Sequence, residues 1–269
     1  MNMQEIKDYP LQRQQAVLWF LGQAGYIIKS DDKIVTIDPY LSDSAAKASP
    51  ELSRAFPVPL DPRQLEVDVY IVTHDHLDHL DPETIEAYSY KDKTLFVGPA
   101  LAIKKLRALG ISRDNTVQID TGHRQTVNNI LITGIYAIAT EPAVIDTCGY
   151  KLEFSNGRKV YHSSDTGFSE LLAPCVRDVE VALVCINGKW GNLNCMEAAK
   201  LVAKIRPRTA IPNHYDLMAC NSEDPKIFES LVRKQAAEID VRILSVMEPF
   251  LWGDLYTEGA NDEGAGKVR

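Results

Sequence analysis

Little in this sequence ties it to a membrane, to the secretory pathway or to nucleic acid. No apolar segment approaches the roughly 18 to 20 uninterrupted residues of a membrane-spanning helix. The amino end, Met1-Asn2-Met3-Gln4-Glu5-Ile6-Lys7-Asp8, lacks the basic start and apolar core of a signal peptide, so a cytoplasmic location is expected. Paired cysteines are missing too. The five that occur, Cys148, Cys175, Cys185, Cys195 and Cys220, are odd in number and form no C-x-x-C, which argues against a disulfide framework or a thiolate zinc knuckle. There is no basic excess: 29 lysines and arginines face 37 acidic residues, a formal net charge of −8, and this argues against a nucleic acid partner gripped over a wide basic face. Histidine is scarce at six residues in 269, and that scarcity makes its distribution informative.

Three of the six histidines fall in His74-Asp75-His76-Leu77-Asp78-His79-Leu80-Asp81, and three carboxylates share the same eight residues. The preceding run, Val67-Asp68-Val69-Tyr70-Ile71-Val72, is short, β-branched and aromatic, as a buried strand would be. The cluster therefore sits at a strand's carboxyl end, where open α/β sheets carry their chemistry.

Around it the chain alternates strands and helices. Residues 16–21, 26–30 and 33–38 form three strands joined by tight turns, and the third delivers Asp38 just before Pro39 forces a loop. Residues 40–66, with four prolines, are too long for a connector and suit a lid or substrate-facing segment. Asp81-Pro82-Glu83 starts a short helix to about residue 88, with Asp81 as its cap. A strand at 94–98 and a helix at 99–109, stopped by Gly110, follow. Strands at 116–120 and 129–139 open the second half, and strands 149–154 and 159–165 are joined across Asn156-Gly157, the strongest hairpin signal in the chain. Then come a strand at 179–186, a helix at 195–205 capped by Asn194, a strand at 209–214 ending on His214, a helix at 225–238 and a strand at 241–246. Hairpins feeding βα units, twice over, predict an α/β fold: a four-layer αββα sandwich of two mixed β-sheets. One domain is expected over residues 1–257, with a disordered acidic, glycine-rich tail at 258–269.

Metal-binding side chains recur at these strand ends: Asp38, then His74, His76, Asp78 and His79, then Asp165 and His214. Two histidines at i and i+2 can converge on one ion, the next Asp and His can reach a second, and an Asp from another strand can bridge them. Such an ion pair can hold a hydroxide at neutral pH and polarise a carbonyl or phosphoryl oxygen, which is hydrolase chemistry.

Thr73-His74-Asp75-His76-Leu77-Asp78-His79 matches the H-x-H-x-D-H signature of the metallo-β-lactamase superfamily, and its flanks resemble the branch that includes L-ascorbate-6-phosphate lactonase. The similarity runs from Trp19-Phe20-Leu21-Gly22 through Asp38, Tyr161-His162-Ser163-Ser164-Asp165 and Ile211-Pro212-Asn213-His214 to Pro249-Phe250. The resemblance implies the metallo-β-lactamase fold, with His74 and His76 on one divalent ion, Asp78, His79 and His214 on the other, and Asp165 bridging. It also implies catalytic roles for Asp78 and His79, and an orienting role for Asp38 behind the ligating imidazoles. In one respect the chain departs from the family, which commonly has a further histidine in the loop ahead of the hairpin that leads to Asp165. Here that stretch is Ile138-Ala139-Thr140-Glu141-Pro142, so either Glu141 substitutes with oxygen or the first site is incomplete. One firmly held ion and a weaker second are expected, with Mn²⁺ or Mg²⁺ ranked beside Zn²⁺ because carboxylates favour harder ions.

The implied activity is opening of a lactone or similar cyclic ester of a small molecule, such as a phosphorylated sugar acid, by metal-bound hydroxide. Two alternatives stand beside it: a phosphodiesterase or nuclease-type hydrolase, and a noncatalytic metal or ligand sensor with a degenerate site. His162 reads as a support histidine, His123 as an exposed loop residue, and Trp190 equally as a pocket or a surface residue. Lys189 and Arg13 could meet a phosphate or carboxylate. A homo-oligomer is compatible with the resemblance, although no interface is legible.

Overall fold

The computed structural model describes residues 1–140 and 144–253. Fourteen strands occur among them: β1 (Gln15–Gly22), β2 (Gly25–Ser30), β3 (Lys33–Ile37), β4 (Val69–Ile71), β5 (Leu95–Gly98), β6 (Thr116–Gln118), β7 (Arg124–Val127), β8 (Ile130–Tyr136), β9 (Cys148–Glu153), β10 (Lys159–His162), β11 (Val181–Cys185), β12 (Thr209–Asn213), β13 (Asp240–Val241) and β14 (Pro249–Gly253). They form two seven-stranded mixed sheets, in the orders β14-β1-β2-β3-β4-β5-β6 and β13-β12-β11-β10-β9-β8-β7. The pairings of β14 through β3 are antiparallel and those from β3 to β6 parallel. The second sheet repeats the scheme, antiparallel from β7 to β10 and parallel from β10 to β13. The expected sandwich of two mixed sheets is present.

Strand periodicity explains the layering. All eight residues of β1 are buried. Ala16, Leu18 and Phe20 join the core between the sheets, while Val17, Trp19 and Leu21 join a second core that also holds Ala102, Ile103 and Leu106 of helix Ala100–Ala108. Alternate side chains of one strand thus feed two layers, so the strand reads as a continuous apolar run. On the other sheet, helices Cys195–Ile205 and Pro225–Gln235 pack Ala198, Leu201, Val202, Phe228 and Val232 into the core. No helix among the described residues is long and apolar enough to cross a membrane.

Several boundaries differ from expectation. The strand expected at 241–246 is only Asp240–Val241, because Leu244 turns into the core instead of continuing the ladder. The helix expected to reach residue 238 stops at Gln235. Residues 40–66 are not merely loop: they hold helix Ser44–Ala48 and the 3-10 turn Pro50–Leu52. Strands β7 and β14 were not anticipated. The expected domain boundary at 257, the tail beyond it and Glu141 lie outside the described residues.

Candidate metal centre

Every strand end that carries a ligand-type residue lies on one edge of the sandwich. Parallel register sets Ile37 beside Ile71 and Cys185 beside Asn213, so the loops that follow emerge together. After β4 the chain folds into a tight turn in which the His76 carbonyl accepts from the backbone N–H of His79 at 3.1 Å and of Leu80 at 2.7 Å. This turn brings the His74 and His79 rings together with centroids 4.0 Å apart and planes tilted by 45°, and brings the His76 ring to 4.7 Å from that of His74.

Asp38 sits immediately beyond β3 with φ +43°, a left-handed conformation uncommon outside glycine. Its Oδ1 accepts from the Thr73 N–H at 2.8 Å, and its Oδ2 accepts from the Thr73 hydroxyl at 2.6 Å and lies 2.7 Å from His79 Nδ1. With its proton on Nδ1, His79 turns an Nε2 lone pair toward the centre. Ser164 (φ +61°) and His214 (φ +64°) also have left-handed backbone, so three of the turns around the centre hold conformations that cost energy and are maintained by their surroundings.

Four atoms converge. His79 Nε2 lies 3.3 Å from Asp165 Oδ1 and 3.8 Å from Asp78 Oδ2, while His214 Nε2 lies 3.4 Å from each of those oxygens. His79 Nε2 and Asp165 Oδ1 are buried with no hydrogen-bond partner. Burying two polar atoms this way costs about 1–3 kcal/mol each, a cost that a cation between them would remove. Two buried, unpartnered donors with two more beside them fit a divalent ion. Two overlapping groups of three have all their ligand atoms within 4.8 Å of one another, His74–His79–Asp165 and Asp78–His79–His214, and either could hold an ion.

Charges follow the same grouping. Burial disfavours a charged His214, but Asp165 and Asp78 outweigh it and push its pKa up to about 9. His79 is likewise raised well above its ordinary value, against burial, by Asp165, Asp78 and Asp38. Burial opposes ionisation of Asp165, and the His214 and His79 charges overcome it, holding the carboxyl well below the usual range. His74, buried and beside His79, falls to about 3 and is a neutral imidazole.

The implied first ligand pair is arranged differently. His74 Nε2 lies 3.1 Å from His76 Nδ1, and His74 also groups with His79 and Asp165. His76 joins no group of three close ligand atoms among the described residues. His162 is buried away from the donors: its Nε2 lies 2.9 Å from the Ala24 carbonyl, and its Nδ1 accepts from the Ser164 N–H at 3.0 Å, which braces the turn that carries Asp165. His123 is exposed ahead of β7.

A cavity of roughly 260 Å³ opens on the centre. His76, Asp78 and Asp165 reach it; Ala45, Leu52, Leu77 and Met218 give it an apolar wall; Glu51, Thr140, Asn192 and Asn221 add polar groups. The segment 40–66 thus supplies Ala45, Glu51 and Leu52 to the mouth. Trp190 lines the cavity too and is half exposed, whereas neither Lys189 nor Arg13 is part of the lining.

Residues 34–215 match the β-lactamase superfamily domain. The chain belongs to this superfamily. It is 29% identical over 248 residues to a UPF0173 metal-dependent hydrolase of Aeropyrum pernix, covering 87% of this chain and 97% of that protein. A Pyrococcus furiosus protein of the same name is 30% identical over 235 residues, covering 81% of this chain and 92% of its own length. Among solved structures, Igni18, a metallo hydrolase from Ignicoccus hospitalis, superposes with a TM-score of 0.70 at 21% identity, covering 90% of this chain and all of that one.

Two residues of this superfamily member escaped sequence reasoning. Gln23, in the β1–β2 turn with φ +54°, is fully buried; its Nε2 donates to Asp78 Oδ2 at 2.8 Å, and its backbone carbonyl accepts from the His214 backbone N–H at 2.6 Å. Asn192 donates from Nδ2 to Asp165 Oδ2 at 2.7 Å. For Gln23 the available signal was a polar side chain between glycines at the end of a wholly apolar strand. Asn192 had none beyond its glycine-flanked loop.

Proposed function

We propose that this protein is a zinc-dependent hydrolase that opens uncharged lactones or similar cyclic esters. The observation that carries the reading is the Asp78, His79, Asp165 and His214 donor set, with contacts of 3.3–3.8 Å, opening on a cavity that no lysine or arginine lines among the described residues. Each close ligand group holds two imidazoles to one carboxylate, which favours zinc over the hard Mg²⁺ ion. Both close ligand groups share His79, which supports one tightly held ion rather than two.

A zinc ion bound there would act as a Lewis acid and lower the pKa of a coordinated water toward neutrality. The chain's own groups do the rest. Asp38 fixes the proton of His79 on Nδ1, and with Nε2 in the donor set neither nitrogen of His79 is free to exchange a proton with substrate, so His79 acts as a ligand. Asp78, held strongly ionised against burial by His79 and His214, is a weak base; its part is to orient the attacking water as an acceptor. The apolar wall excludes bulk water and strengthens each polar contact inside.

A phosphodiester or a phosphorylated sugar acid would bring negative charge to a lining that already holds Glu51, Asp78 and Asp165. The test is elemental analysis followed by turnover of γ- and δ-lactones, linear esters and bis(p-nitrophenyl) phosphate by the zinc-loaded protein. Near one zinc per chain with lactone opening at least tenfold faster than phosphodiester cleavage is expected. Phosphodiester cleavage without lactone opening overturns the reading, as does stoichiometric zinc without turnover of any substrate.

A further inference from the structure

Lys189-Trp190-Gly191-Asn192 closes on itself: the Asn192 N–H donates to the Lys189 carbonyl at 2.9 Å, and the two residues between have φ of +48° and +85°. Those are the signs of a type I′ turn, whose central positions call for Asn, Asp or Gly. Gly191 meets that demand and Trp190 does not. A bulky side chain in left-handed backbone costs energy that Asn or Gly would save at the same place. Burial does not repay it in full, because Trp190 is 51% exposed, whereas the chain's other tryptophans, Trp19 and Trp252, are buried. A residue that breaks the rule of its own turn and leaves a large apolar face in solvent marks a position kept for contact with a ligand. The turn also stands where a ligand would meet it. Trp190 lines the same cavity as Asp78 and Asp165 of the donor set and as the apolar Leu52, Leu77 and Met218. Asn192, the last residue of the turn, donates from Nδ2 to Asp165 Oδ2 at 2.7 Å, and the Leu193 N–H donates to the Thr166 carbonyl at 2.9 Å, so the turn is anchored to the segment that carries Asp165.

We propose that Trp190 is a specificity determinant whose indole packs against a flat, uncharged aromatic group of the substrate while the scissile carbonyl lies at the donor set. This rests on the lactone reading of the same site and narrows it to aryl-substituted lactones. Stacked or edge-to-face rings gain more than the area they bury, so a planar ring is favoured over a saturated ring of the same size. An indole face also attracts cations, but here a cation would lose its water against Leu52, Leu77 and Met218 and be repelled by a divalent ion at the donor set. Because the turn is anchored beside Asp165, the indole is already in place before the substrate arrives, and little ordering cost falls on binding.

The experiment compares γ-butyrolactones bearing a benzyl or a cyclohexylmethyl group, on the α or the γ carbon, with the zinc-loaded wild type, Trp190→Phe and Trp190→Asn. In parallel, the unreactive benzyl- and cyclohexylmethyl-substituted N-methylpyrrolidinones are titrated while acrylamide quenching of tryptophan fluorescence is followed, which reports on Trp190 because Trp19 and Trp252 are buried. For at least one position of the substituent, kcat/KM is expected to be about fivefold or more higher for benzyl than for cyclohexylmethyl, a preference kept in Trp190→Phe and reduced to within about twofold in Trp190→Asn at matched zinc content. The benzyl pyrrolidinone is expected to shield the indole from acrylamide. No benzyl preference at either position, or one that survives Trp190→Asn, overturns the proposal, as does binding of the benzyl pyrrolidinone that leaves Trp190 as quenchable as before. If no lactone turns over but the benzyl pyrrolidinone binds with Trp190 shielded, the recognition stands and the lactone reading falls. Should Trp190→Asn fail to fold, the wild type decides: shielding by the benzyl compound and not by the cyclohexylmethyl one supports the proposal, and equal or absent shielding overturns it.

Discussion

The two sheets follow one plan, three antiparallel steps and then three parallel ones, but they arm the shared edge differently. The first sheet supplies its donors in one burst after β4, His74 through His79, with Asp38 behind them from the end of β3. The second spreads its contribution over three connections: Asp165 after β10, Asn192 after β11 and His214 after β12. Contiguity nevertheless does not decide which residues meet. The fourfold set of contacts takes Asp78 and His79 from the first half and Asp165 and His214 from the second, and within it the mutually close triads are Asp78–His79–His214 and, with His74, His79–Asp165, while His76 is outside every three-ligand group among the described residues.

The largest break in this comparison should come from the dispersed half. Structural zinc sites bind with about 10–16 kcal/mol, so one of four ligands carries about 3–4 kcal/mol, and Asp165→Ala or His214→Ala should weaken zinc binding roughly 100- to 1,000-fold. His76→Ala, although inside the signature, should cost less than about tenfold. Competition with a chromophoric chelator measures both. A larger loss from His76→Ala than from His214→Ala would place the tight site on the His74–His76 side instead.

The next effect compares the two residues that hold ligands without joining them. Asp38 and Gln23 each engage one member of the first half's pair, His79 and Asp78 respectively. Asp38→Ala should lower zinc affinity about 10- to 100-fold, the usual cost of removing a carboxylate behind a ligating histidine. Gln23→Leu removes a neutral donor and should cost about tenfold, with Asp78 less firmly aimed. Thermal unfolding of both metal-free variants separates lost affinity from lost folding.

Proton counting sharpens the comparison further. In the metal-free protein at pH 7, His214, with a pKa near 9, and His79, raised well above its ordinary value, both hold a proton that an ion must displace; His74, near 3, holds none. Because these raised pKa values favour the protonated form below them, zinc affinity should rise as pH increases from 6 toward 9. Calorimetry at pH 7 in buffers of different ionisation enthalpy should report close to two protons released per zinc, falling in Asp165→Asn, which removes the charge that raises both histidines. Release of no protons would mean that the donor histidines are neutral before metal arrives.

What could be read from the chain follows the same division. Helix Cys195–Ile205 was legible to the residue because Asn194 and Glu197 form a capping box across its first turn. The metal motif was legible because its members are sequence neighbours. Gln23 and Asn192 were not, since each gains its role only when its loop meets another loop at the same end of its own sheet, 55 and 27 residues away. Strand β7 hid because three of its four residues are exposed and carry no alternation, as suits an edge strand. The overlong strand at 241–246 failed for the opposite reason: its apolar residues serve the core, and periodicity alone does not separate that from a ladder.

The smallest effect should appear at the far edge, where the two halves are tied together away from the metal. The side chain of Asn156, in the β9–β10 turn, accepts from the Ser30 hydroxyl at 3.0 Å and donates to the Gln15 carbonyl at 3.0 Å and the Arg13 carbonyl at 3.2 Å. Asn156→Ala loses these links and should cost about 1–3 kcal/mol of stability, a fall of roughly 2–10 °C in Tm. Zinc affinity should stay within about twofold, because β1 and β10 both run from this edge to the metal edge through a packed core that does not depend on the turn. A parallel loss of zinc binding would mean that the fourfold set is held by the relative placement of the sheets as a whole rather than by the local turns that carry Asp38, Asp165 and His214.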